Sequence, residues 1–128
     1  MAWRLGLVLA LLVGLAPMPT DAQAPELFLE WFAFDPEDAG GVNVAFCFPW
    51  VITARATGAP PRVRAWVLDL SGPIFVREWD AYDPRFGGGV AVSCGIFQGS
   101  AIVTTTPGIT GGPHVRVWVL GPPPGASP

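Results

Sequence analysis

The chain contains no lysine, one histidine, one tyrosine and two cysteines, and only 13% of its 128 residues are charged. Its seven basic residues are therefore all arginine, set against ten acidic ones. The formal net charge of −3 is weak and of the wrong sign for a nucleic-acid or anionic-membrane surface. A single histidine, His114, leaves any cysteine or serine nucleophile short of a base. Ser71, Ser93 and Ser100 stand in no pattern with His and Asp, so a nucleophilic triad has no support. Carboxylates do pair, Asp35 with Glu37 and Asp80 with Asp83, in the manner of an acid and a base. However, Asp35 and Asp83 each precede proline, where a short acidic side chain accepts backbone hydrogen bonds at a turn. The expectation is a protein that is not an enzyme.

Long apolar runs are also scarce. The one that exists, Leu5 to Ala16, follows Arg4 and gives way to small and polar residues from Pro17 to Ala24. That order reads as a secretory signal peptide over residues 1–22, too short to favour a membrane span. Cleavage after Ala22 leaves Thr20 and Ala22 as the small residues, and the alternative is an uncleaved N-terminal anchor. No cysteine lies close enough to the run to carry a lipid. Removing residues 1–22 takes away Arg4 and Asp21 and leaves the net charge unchanged. The expected location is secreted, periplasmic or extracellular, with no membrane contact after the signal is removed.

What is present in quantity is turn formers and large apolar side chains. With 16 Gly and 15 Pro beside 6 Trp and 8 Phe, the chain carries too many aromatics for a disordered segment. Short strands between turns are expected. No helical period of useful length follows Ala16.

Cys47 and Cys94 are a candidate disulfide, since a pair in an oxidising compartment is more often bonded than free. One feature tempers this. Cys94 aligns with Phe46 and not with Cys47 in the internal repeat described next, so on equivalent strands the two thiols point to opposite faces.

The repeat is the strongest signal in the chain. Glu30 to Val44 recurs as Glu78 to Val92 at an offset of 48, with nine of fifteen positions identical. Pro61 to Leu68 recurs as Pro113 to Leu120 at an offset of 52, with six of eight identical. Two ordered blocks at nearly one spacing define a duplicated unit in the period range of propeller blades and other arrays. The expected domain covers residues 23–121, with repeat 1 at about 27–70, repeat 2 at about 74–121 and a Pro/Gly-rich tail at 122–128.

Within each unit the pattern predicts four strands. Leu27 to Phe34 alternates with one deeply buried face and Asp35-Pro36 ends it. Val42 to Phe46 forms the second, stopped by Pro49. Val51 to Ala56 forms the third, and Val63 to Leu68 the fourth after the breaker Gly58-Ala59-Pro60-Pro61. Ile74 to Tyr82, Gly89 to Cys94, Ala101 to Thr106 and His114 to Leu120 repeat the order. The fold class is all-β, two tandem four-stranded antiparallel sheets.

The run Ala81-Tyr82-Asp83-Pro84-Arg85-Phe86-Gly87-Gly88-Gly89-Val90-Ala91-Val92, followed by Ile102-Val103-Thr104 and Gly111-Gly112-Pro113-His114-Val115-Arg116-Val117, resembles the FG-GAP (integrin-α-type) β-propeller repeat of bacterial secreted proteins. Ala33-Phe34-Asp35-Pro36, Gly40-Gly41-Val42, Val51-Ile52-Thr53 and Pro61-Arg62-Val63-Arg64 form a more worn copy. The resemblance implies propeller-blade-like sheets, with the N-terminal strand completing the second blade, and by analogy a role in adhesion or recognition. Such repeats commonly carry a calcium loop of the form Asp-x-Asn-x-Asp-Gly between their first two strands. This chain has Cys47-Phe48-Pro49-Trp50 and Gly95-Ile96-Phe97-Gln98-Gly99-Ser100-Ala101 there, without a carboxylate, so no metal and no other cofactor is expected. Phe48, Trp50, Ile96 and Phe97 occupy the place of the acids. They either pack on one another in place of the ion, the preferred expectation, or form an exposed sticky rim.

Two blades are too few for a ring, which takes about four to eight. Either copies associate head to tail, or the strands stay as a collapsed or two-bladed monomer, the latter being the expectation. Trp31, Trp66, Trp79 and Trp118 sit at matched positions and are expected to pack first; beside Arg64 and Arg116 they are also the candidate contacts for a carbohydrate or protein ligand. Two functions follow: a non-catalytic binding module, or a structural component that self-assembles as a homo-oligomer through unpaired strand edges.

Overall fold

The computed structural model describes residues 24–125; the expected signal peptide and the last three residues of the tail lie outside them. Among the described residues there is no helix, and seven strands form two antiparallel sheets. The first contains β1 (Val42–Cys47), β2 (Trp50–Arg55), β3 (Arg62–Asp69) and β4 (Gly72–Asp80) in sequence order. The second contains β5 (Val90–Phe97), β6 (Ser100–Pro107) and β7 (Arg116–Gly121). No described helix is long and apolar enough to cross a membrane.

Seven of the eight expected strands are present, and the eighth is a correction. Leu27 to Phe34 forms no strand, and Leu27, Phe28 and Phe32 are exposed where a deeply buried face was expected. Alternation marks a segment able to pair; it does not supply the neighbouring edge that a strand requires for stability. The second sheet consequently has three strands among the described residues, where four were expected. Because β4 pairs with β3, the sheets divide the chain between Asp80 and Val90, one strand later than the sequence repeat does.

The duplication is visible in the hydrogen-bond register. Phe46 opposes Val51 as Cys94 opposes Val103, and Val44 opposes Thr53 as Val92 opposes Thr105. One strand further, Val51 opposes Trp66 as Val103 opposes Trp118, and Ile52 opposes Ala65 as Thr104 opposes Val117. Equal register follows from side-chain alternation, because a slip of one residue would turn every apolar side chain to the other face. The hairpins differ in length. Phe48-Pro49 closes the first, whereas β5 and β6 run two pairs further to Gln98-Gly99, both with positive φ (51° and 81°). That is the twist a two-residue hairpin turn demands.

One core joins the two sheets. The first contributes Ile52, Ala54, Val63 and Ala65, and the second contributes Val90, Ala101, Val103 and Leu120. The sheets meet chiefly along β1 and β2 on one side and β5 on the other. The packing is directional. Val90, Val92 and Cys94, which face the first sheet, correspond to Val42, Val44 and Phe46, which point away from the second. So the back of the first sheet lies on the front of the second.

This arrangement explains the disulfide. Cys47 and Cys94 are bonded, with their Cα atoms 5.7 Å apart. The one-residue phase difference, which counts against pairing when two sheets are compared as equivalents, is what front-on-back stacking requires: the bridged residues must project from opposite faces of matched strands.

Candidate interaction surface

Each of the four matched tryptophans stands in one of two equivalent clusters. Trp31 packs on Trp66 at 5.8 Å between ring centroids, and Trp79 on Trp118 at 5.7 Å, both tilted. Trp66 Nε1 donates to Thr53 Oγ1 and Trp118 Nε1 donates to Thr105 Oγ1, at 3.0 Å in both cases. Arg64 donates to the Ala33 carbonyl at 2.8 Å with its guanidinium 4.9 Å from the Phe34 ring centre. Arg116 donates to the Ala81 carbonyl at 2.9 Å and lies 5.1 Å from that of Tyr82. The indoles are half-buried, and the candidate binding residues Trp31, Trp66, Trp79, Trp118, Arg64 and Arg116 are brought together in two packing motifs.

Thr105 is fully buried at the centre of the second cluster, taking the Trp118 indole proton and lying 3.3 Å from the Tyr82 hydroxyl. Thr105→Val keeps the shape and removes the acceptor. An orphaned indole donor costs about 1–3 kcal/mol, so the urea midpoint should fall correspondingly; an unchanged midpoint contradicts this role.

The acidic residues before proline behave as turn caps. Asp35 accepts from the Glu37 amide at 2.8 Å and Asp83 from the Arg85 amide at 2.9 Å. The Arg85 side chain also bonds Asp83, and this, with the amide, holds the Asp83 carboxyl down at about 2. His114 stands edge-on to Tyr82, whose hydroxyl donates to the His114 carbonyl at 2.7 Å. Among the described residues no three His, Cys, Asp or Glu side chains come together as metal ligands.

The hairpin aromatics correct an expectation. Only Trp50 is buried, at 1%; Phe48 and Phe97 are 75% and 65% exposed, and Ile96 is exposed too. Phe48 touches Phe46, itself exposed, at 6.4 Å. Two-residue turns bring these side chains to the tips of their hairpins, beyond the reach of the core, so they form a rim.

What sequence reasoning missed is the pair of outer faces. On the second sheet, Val115, Val117 and Val119 project from β7 and its approach, all more than half exposed. On the first, Val42, Val44 and Phe46 project from β1 and are likewise exposed, Val42 a little under half. Alternation showed one apolar side of these strands, and burial was the natural reading. The signal available was that both sides of the fourth strand of each repeat carry apolar residues, Val63, Ala65 and Val67 against Trp66 and Leu68, and Val115, Val117 and Val119 against Trp118 and Leu120. An antiparallel sheet with a solvated outer face normally alternates apolar-in with polar-out; these sheets do not. No family model, curated protein or solved structure matches the chain.

Proposed function

We propose that the chain is a secreted, non-catalytic interaction module built from two degenerate FG-GAP-like propeller blades. The blade reading is supported by sequential strand order in each sheet, front-on-back stacking along the first strands, and the passage of β4 directly into β5. The extracellular setting is supported by the Cys47–Cys94 bond. The observation that carries the functional reading is the exposed apolar surface at both ends of the two-sheet stack, of the kind that marks association sites. Tryptophans committed to packing leave a carbohydrate site less favoured than a protein partner.

Site-specific photo-crosslinking in secreting cells tests this. A photoreactive residue at Val117 or Val44 is expected to give protein adducts, and the same residue at Ser71, in the exposed β3–β4 turn, none. Absence of adducts from both faces overturns the module reading.

A further inference from the structure

Resting on the module reading, we infer that the partner is a second copy of this chain, joined head to tail, whose residues 24–32 add the fourth strand to the second sheet.

Three observations meet in this inference. The first is the faces. The core shared by the two sheets holds Val63 and Ala65 of the first and Val90 of the second, with Val67, Val92 and Cys94 packed against it. Their repeat equivalents are Val115, Val117 and Val119, and Val42, Val44 and Phe46, which are the exposed sets at the two ends of the stack. One chain therefore presents both halves of a junction that it already builds once internally. Such a surface is heterologous, and copies join in a closed ring or an open filament.

The second observation is the strand deficit. The segment equivalent to β4 at the offset of 48 is residues 24–32, which forms no strand, while β7 has no neighbour on its outer edge among the described residues. Leu27 and Phe28, both about three-quarters exposed, correspond to Phe75 and Val76. Phe75 packs edge-on against Trp66 at 5.5 Å, and Val76 packs against the core. Leu27 of a second copy is thereby matched to Trp118.

Charge supplies the third. In the first sheet Arg64 opposes Glu78 in register and bonds it at 2.6 Å. Their equivalents are Arg116 and Glu30, neither of which has an ion pair among the described residues. A second copy's residues 24–32, added beside β7 in the register of β4, place Glu30 opposite Arg116.

The test is the mass of the chain purified after export, by light scattering on a sizing column. The unaltered chain should run as two or more copies, with closed rings of about four to eight blades corresponding to two to four chains. Val44→Asp and Val117→Asp each change an exposed side chain on one end of the stack. Each variant alone should run at the mass of one chain with an unchanged far-ultraviolet circular dichroism spectrum. Mixed, they should form a species of two chains and nothing larger, since just one junction then has both faces intact. Glu30→Arg should also break the assembly, and combining it with Arg116→Glu should restore it. The inference is overturned by single-chain mass for the unaltered protein at hundreds of micromolar, by variants that keep the full assembly, or by a mixture that stays as single chains. Single-chain mass together with Val117 adducts to a different protein removes self-association and leaves the module reading standing; no adducts at either face removes both.

Discussion

Breaking the Cys47–Cys94 bond should lower the stability of the folded chain by about 4 kcal/mol, the chain-entropy value for a closed loop of this length. The bridged residues are 47 apart in sequence, so the crosslink removes a large set of open conformations from the unfolded chain. It also ties β1 to β5, the strands along which the two sheets meet. Against a total of about 5–15 kcal/mol for a domain, that loss is a large share of the whole. Urea unfolding of the oxidised chain and of Cys47→Ser/Cys94→Ser should give midpoints separated accordingly. Chain made in a reducing compartment should resemble the double variant until oxidised. Coincident midpoints would remove the bridge from the account of how the sheets hold together.

Gly89→Ala should be comparably damaging, at about 3–5 kcal/mol from left-handed strain and overpacking combined. Gly89 has φ of +88°, and a Cβ there would run into the Ala56 carbonyl of the preceding sheet. Gly87 shares this close approach, since Gly58 donates to its carbonyl at 2.8 Å, whereas a Cβ on Gly88 would meet the Ile109 carbonyl in the connection between β6 and β7. The repeat provides its own control. Gly41 is the equivalent of Gly89 and has φ of +82°, but a Cβ there meets only the Ala56 methyl, at 3.6 Å. Gly41→Ala should therefore cost about 1 kcal/mol, the strain alone. Measuring both in the Val117→Asp background keeps association out of the comparison. Equal losses at the two glycines would mean that backbone strain, and not the crossing of the two sheets, sets the requirement.

The glycines also show how far the sequence could be read. That Gly41 and Gly89 are matched follows from alignment; that one is crowded and the other free follows from the second sheet having a sheet before it. The same holds for the tryptophans. The equivalence of Trp31 with Trp79 and of Trp66 with Trp118 was legible from the repeat; that Trp31 packs on Trp66 and Trp79 on Trp118, with ring separations that agree to about 0.1 Å, was not. The buried threonine beneath each indole was not predictable, since a β-branched threonine within a strand carries no sign of its partner. Asp35 and Asp83 were legible as turn caps because the bonds they accept are local, reaching two residues along the chain.

By itself the sequence determined the all-β class, seven of the strands, the alternation of their faces, and the duplication that makes one unit a template for the other. Those features depend on contacts between residues near in sequence or on a period of two, and both are written in residue order. Only the tertiary structure decided that the sheets stack back on front, that Cys47 reaches Cys94 because of their opposite phase, and that Leu27 to Phe34 forms no strand. Each of these depends on which edge or face a segment meets, and an apolar alternation reads the same whether its partner is the neighbouring sheet, another chain or water.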